Sequence, residues 1–224
     1  MKKILGLIVV MSLSVVLLAA CGGNIDDSNN AEQETPMNED QVMTEMLEFP
    51  AEEPADLWEG NMTKVKIEFE DLGDVIVELN HDAAPATVDN FLKLVNDGFY
   101  DGLGFHRIIE TFMIQGGDPD GTGMGGSGEN IVGEFTANGH MNPIQHVRGA
   151  VSMARSQDFN SASSQFFIVH QDSNFLDGEY AAFGRVVEGM DVVDQIAENT
   201  PVTDGNGSVD PANHPKMARV SVVE

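Results

Sequence analysis

The sequence predicts a mainly β domain: a closed, eight-stranded antiparallel barrel capped by two α-helices, carried behind an export signal and an acidic tether. Three observations lead there. Eight short segments between Val65 and Val223 either alternate apolar with polar residues or run apolar throughout, as strands do. Only two stretches place apolar residues at helical spacing. Those two do not alternate with the strands in the way that builds a parallel sheet. Eight strands enclose an interior filled by their own side chains, so a ligand site is expected on the outer surface or rim.

The elements follow in order. Val65, Ile67 and Phe69 alternate with Lys66, Glu68 and Glu70 as a half-buried strand. Leu72-Gly73-Asp74 turns the chain into Val75–Leu79, making a hairpin. Pro85 opens a helix with apolar residues at 88, 91, 92 and 95, and Gly98 closes it. After a loop from Tyr100 to Gly104, Phe105–Ile109 and Phe112–Gln115 read as two short strands ending at Gly116-Gly117. Gly149–Ala154 and Gln165–Val169 are apolar strands around a polar loop, Arg155 to Ser164. A turn at Asn174–Gly178 leads to a strand at Ala181–Val187, a second helix at Gly189–Ala197 and, after a loop from Asn199 to Pro215, a closing strand at Met217–Val223.

Ahead of this domain, assigned to residues 61–224, lie two different segments. Lys2-Lys3 precedes an uncharged run from Ile4 to Ala20, which together read as an export signal over residues 1–20. The run is shorter than the roughly 20 residues a membrane-spanning helix needs. Leu18-Ala19-Ala20-Cys21 resembles the bacterial lipobox, in which the cysteine thiol receives a diacylglycerol. Two acyl chains, at about 0.8 kcal/mol per buried methylene, suffice for stable attachment. Cys21 is the only cysteine, so the exported domain forms no internal disulfide and stands on its core. Residues 21–60 form the lipidated cysteine and a disordered acidic tether, with twelve Asp or Glu and no Lys or Arg. Met43, Met46, Leu47, Phe49, Leu57 and Trp58 interrupt its polarity, but the stretch is read as a spacer. A formal charge of −26 argues against a nucleic-acid partner. The chain is taken as a monomer at an extracytoplasmic membrane surface.

The chemistry concentrates in Phe105–Gly117. Arg107 supplies a cation, and period two puts Met113 and Gln115 on one strand face, an apolar floor beside a hydrogen-bonding group. The glycine-rich stretch Gly116–Gly128, mobile by composition, contains G-x-G-x-x-G at Gly121, Gly123 and Gly126, but no helix follows. A dinucleotide cradle is therefore excluded. Asp118 and Asp120 lack the ligand series of a calcium loop. His81, His140, His146, His170 and His214 lack metal-ligand spacing, and His106 is expected to be a buried, hydrogen-bonded core residue. Ser161, Ser163 and Ser164 have no accompanying His/Asp pattern for a nucleophile.

Phe105-His106-Arg107 with Phe112–Asp118, then Ser164–Ile168, Phe175–Gly178 and Phe183–Val186, resemble in order the signature blocks of the cyclophilin family of peptidyl-prolyl isomerases. The resemblance spans Lys64 to Val223 and implies the same barrel, no cofactor or metal, and proline-containing polypeptides as substrates. It implies Arg107 as the catalytic arginine. Phe112, Met113, Phe167 and Leu176 become the proline pocket, and Gln115 and Gln165 bind substrate backbone. Ala154 belongs to the adjoining groove. Phe175 and Tyr180 complete the expected substrate-binding residues, and three positions depart from the usual pattern: Phe175 stands where many members have Trp, Tyr180 where many have His, and Arg155 where many have Asn. The first removes an indole donor expected to matter for cyclosporin.

An X-Pro bond turns over a barrier of roughly 18–20 kcal/mol because amide resonance must break. Turnover near 10³ s⁻¹ asks for a reduction of about 5–6 kcal/mol. No covalent bond is cleaved, so no nucleophile is needed. A guanidinium can donate to the proline nitrogen in the twisted amide and hardly in the planar one, which is differential transition-state binding. A proline-motif binding module or holdase on the same scaffold would need the pocket but not the cation.

Overall fold

The computed structural model describes residues 49–223; the export signal, Cys21 and residues 22–48 of the tether lie outside the described residues. Eight strands form one antiparallel sheet: β1 (Met62–Phe69), β2 (Gly73–Asn80), β3 (Phe105–Ile109), β4 (Met113–Gly116), β5 (Ala150–Met153), β6 (Phe166–Val169), β7 (Ala182–Glu188) and β8 (Met217–Val223). Among the described residues two α-helices accompany them, α1 (Pro85–Asn96) and α2 (Met190–Asn199).

The ladder runs β3-β4-β6-β5-β7-β2-β1-β8 and curls on itself. Its ends meet through single contacts and not through a full ladder between β3 and β8. Gly102 N donates to Met217 O at 2.7 Å, Met217 N to Leu103 O at 2.9 Å, and Phe105 N to Pro215 O at 3.0 Å. The expected barrel is therefore a curled sheet whose seam is closed by the loops ahead of β3 and β8.

Period two sorts the strands into an inner and an outer face. Ile108, Ile114, Ile168 and Val151 stand opposite one another across β3, β4, β6 and β5, and all are buried in the interior. The interior also takes Val88, Phe91, Leu94 and Val95 from α1 and Val192, Val193, Ile196 and Ala197 from α2. Phe91 is its hub, 4.9 Å from the Tyr100 ring, 5.3 Å from Phe166 and 5.2 Å from Phe183. β5 and β6 are buried on both faces. That explains why their sequences run apolar without alternating.

Pro85 starts α1, where its missing N–H costs nothing. The donors of Ala86 and Thr87 reach the buried Glu134 carboxylate at 3.0 and 2.8 Å, and Thr87 Oγ1 reaches it at 2.7 Å. A carboxylate at a helix N-terminus satisfies orphan donors and favours the dipole. The second helix starts one residue later than its apolar pattern suggested. Gly189 caps it in the left-handed region (φ 87°), and a side chain there would collide with the Asp74 carbonyl.

Two expectations change. The final twelve residues of the assigned tether, 49–60, are packed on the domain. Leu57 and Trp58 lie against Ala83, Ile144 and Ala182, and Asn80 Nδ2 donates to Leu57 O at 2.7 Å. Leu57 and Trp58, two of the apolar interruptions of the acidic stretch, attach it; Met43, Met46 and Leu47 lie outside the described residues. His106 is buried as expected but not hydrogen-bonded: neither ring nitrogen finds a partner among the described residues. A register irregularity between Phe105 and Arg107 carries its ring beneath Gly123 of the glycine loop.

Candidate active site

The outer face of β3–β4–β6–β5 carries the site. Arg107 stands opposite Gln115, Gln115 opposite Phe167, and Phe167 opposite Ser152. One row across four strands thus gathers residues far apart in sequence onto one face, because directly opposed residues of an antiparallel pair point the same way.

Met113, Phe167 and Leu176 are buried in a second apolar cluster with Ala150 and Val169, and Phe112, Ala154 and Tyr180 pack partly buried against it. They line a cleft of about 340 Å³ together with Arg107, Gln115, Arg155 and Phe175. Nine of the ten residues expected from the sequence therefore share one cleft. The tenth, Gln165, lines an adjoining groove of about 560 Å³ with Gly123–Gly126, and Gln115, Ala154 and Arg155 border both. Phe175 is 72% exposed at the lip, its ring 5.4 Å from Phe112.

The polar side of the cleft is a chain of hydrogen bonds. Arg107 Nε donates to Asn206 O at 2.9 Å, and Nη1 lies 3.4 Å from Gln115 Oε1. Gln115 Nε2 donates to Gln165 Oε1 at 2.9 Å, and Gln165 Nε2 to Gly125 O at 2.8 Å. The guanidinium carbon sits 5.9 Å from the Phe112 ring centre. Arg107 Nη2 has no hydrogen-bond partner among the described residues.

The glycine loop is organised by Asp118, contrary to its mobile composition. Burial pushes the Asp118 carboxyl up, but donation from the backbone of Asp120, Gly125, Gly123 and Thr122 outweighs it and holds the group below the usual carboxylate range. Any side chain at Gly125 would collide with Asp118 Oδ1. The glycines thus serve a close backbone approach and hold the carbonyl that receives Gln165.

Sequence reasoning named Arg155 as a departure but not as a site residue. Its guanidinium lies among three rings, 4.7 Å from Tyr180 and 5.0 Å from both Phe135 and Phe159, while Nε and Nη2 donate to Glu179 O. It fastens the loop after β5 to the loop carrying Tyr180. Its place directly after Ala154 was the available signal. His146 and Asp177 were missed as well. The His146 ring stacks on Phe167 at 6.0 Å and 20°, Nδ1 donates to Asp177 Oδ1 at 2.9 Å, and Nε2 pairs with Ser152 Oγ at 2.9 Å. Burial pushes the Asp177 carboxyl up, and the His146 ring and backbone donors together with Asn174 bring it below its ordinary value.

Residues 64–222 match the family model described as cyclophilin type peptidyl-prolyl cis-trans isomerase/CLD. The chain belongs to the cyclophilin family. It is 48% identical over 122 residues to peptidyl-prolyl cis-trans isomerase B of Bacillus subtilis, covering 54% of this chain and 82% of the relative. It is 48% identical over 127 residues to peptidyl-prolyl cis-trans isomerase-like 1 of Rhizopus delemar, covering 56% and 74%. Among solved structures, a cyclophilin of Cryptosporidium parvum determined in the presence of the dipeptide Ala-Pro superposes with a TM-score of 0.63 at 32% identity, covering 72% of this chain and 99% of the other. This cyclophilin is a peptidyl-prolyl cis-trans isomerase acting on proline-containing polypeptides.

Proposed function

We propose that this cyclophilin isomerises X-Pro bonds in exported proteins, outside the cytoplasmic membrane and anchored by lipid on Cys21, with Arg107 stabilising the twisted amide. The observation that carries the mechanism is the tethering of Arg107. Two of its nitrogens are occupied by Asn206 O and Gln115 Oε1, which leaves Nη2 for substrate at the rim of an apolar cleft.

A proline ring seated on Phe112, Met113, Phe167 and Leu176 is fixed while the preceding carbonyl swings. As the amide twists, its nitrogen becomes pyramidal and gains a lone pair for the guanidinium to meet. One preorganised donor is worth roughly 2.7–4 kcal/mol in comparable sites. The remainder of the 5–6 kcal/mol comes from holding the ring against a dry wall while Gln115 sets the register of the substrate backbone. Arg serves where Lys would not, because its planar fork can be held by two nitrogens and still present a third.

Export and anchoring rest on Lys2-Lys3, the uncharged run to Ala20 and the Leu18–Cys21 motif. Two measurements test the proposal. In a protease-coupled assay on an Ala-Pro peptide, the full chain with Arg107→Ala should lose about a hundredfold or more in kcat/KM; activity near wild type would end the arginine mechanism. Cys21→Ala should abolish labelled palmitate incorporation and move the protein out of the membrane fraction. Persistent labelling would remove the anchor.

A further inference from the structure

Residues 49–60 do not line the cleft, yet they grip the segment that backs its floor. Glu53 Oε1 accepts from the backbone N–H of Gln145 at 2.9 Å, and Glu53 Oε2 from Trp58 Nε1 at 3.3 Å. The Gln145 amide reaches back to Ala51 O at 3.1 Å and Pro50 O at 3.4 Å. Leu57 and Trp58 pack on Ile144, and the Arg185 guanidinium lies 4.2 Å over the Trp58 ring. Phe49, at the far end of this strap, shares a surface hollow with Asp177, Gly178 and Glu179.

The next residue is His146, 1% exposed and stacked on Phe167. Residues 141–148 belong to no strand, so no ladder sets their backbone. Their position comes from individual contacts: Glu53 on Gln145 N, Asp177 on His146 N at 2.7 Å and Ser173 N on His146 O at 2.7 Å, with Asn142 Nδ2 donating to Glu134 O and Ala182 O on one side and Arg148 N to Asp172 Oδ1 on the other. The strap supplies part of what a strand neighbour would otherwise supply.

We propose that Glu53 is a positioning residue for isomerisation: through Gln145 and His146 it sets the Phe167 ring, so that strap docking and substrate binding are coupled. This rests on Phe167 being the floor under the substrate proline. Coupling between two sites is reciprocal, so substrate tightens the strap by the same factor as the docked strap tightens substrate.

Trp58 is the only tryptophan in the chain and sits inside the strap. Its emission therefore reports docking without a label. The full chain is titrated with a tryptophan-free Ala-Pro peptide while Trp58 emission is followed, with calorimetry run in parallel to measure binding itself. Wild type should show a saturable emission change with the calorimetric midpoint. Glu53→Ala should be red-shifted before peptide is added, give no further response, and raise KM about fivefold, the effect of one net hydrogen bond, with kcat unchanged. Glu53→Gln keeps one acceptor and should fall between. A role confined to stability would lower Tm and leave KM and the peptide response intact. Calorimetric binding with silent Trp58, or wild-type KM in folded Glu53→Ala, overturns the inference; if that variant fails to fold, the wild-type titration decides alone. Loss of the arginine mechanism appears separately, as an active Arg107→Ala with the emission response preserved.

Discussion

Arg107 and Gln115 face each other across the β3–β4 hairpin, with 3.4 Å between Nη1 and Oε1. The amide thereby orients the guanidinium and is itself oriented by Gln165. Gln115→Leu keeps the volume and removes both bonds. Its kcat/KM should fall about tenfold, since one charge-assisted hydrogen bond is worth about 1.5 kcal/mol or more. Peptide kinetics on the variant check this, and wild-type kcat/KM would show that Arg107 orients itself.

Arg155 joins two clefts and three rings. Arg155→Ala should cost about 1–3 kcal/mol of stability, from lost cation–π contacts and the released Glu179 carbonyl. It should also raise KM by loosening Tyr180. Arg155→Lys should not restore either, because a single ammonium cannot reproduce the two donations to Glu179 O. Urea unfolding and peptide kinetics on both variants decide.

Glu134 reaches across forty-seven residues to the Thr87 N–H at the start of α1. Glu134→Ala strands buried donors at a helix N-terminus and should destabilise the domain by about 1–3 kcal/mol. An unchanged midpoint in urea would mean that water replaces the carboxylate without loss.

Burial lowers the His106 pKa below 6.5; the Asp118 charge opposes this, while His214 and Arg107 reinforce it. The unfolded chain therefore binds a proton that the folded one refuses. His106 thus costs nothing above about pH 6.5, and stability falls as pH drops below that value toward the folded pKa. Asp118 and Asp177 are held below 3.8, so their stabilisation is present above that value and is lost in a second, more acidic window. In a Tm-against-pH series, His106→Phe should flatten the upper window and leave the lower one. Because neither ring nitrogen of His106 has a hydrogen-bond partner among the described residues, the apolar substitution should not lower Tm at pH 8.

Local pattern carried much of this protein. Alternation at Val65–Phe69 and Val75–Leu79 placed β1 and β2, Pro85 and Gly98 bracketed α1, and the spacing of Met113 and Gln115 put floor and hydrogen-bonder on one face. Each depends on residues within a few positions of one another, where strand and helix periods act. The ten site residues came instead from what the family resemblance implied, and nine of them line one cleft.

What only the tertiary structure decided was partnership between distant segments. The row Arg107–Gln115–Phe167–Ser152 exists because β6 lies between β4 and β5, an order that no local period encodes. The bulge at His106, the cage around Arg155 and the grip of Glu53 on Gln145 each join parts that share no sequence signal. For the last, the composition of residues 49–60 pointed the other way: an acidic, proline-bearing stretch reads as tether until Leu57 and Trp58 find Ala83, Ile144 and Ala182 to bury against. Burial depends on the surface a segment meets, and that surface is built from three other regions of the chain.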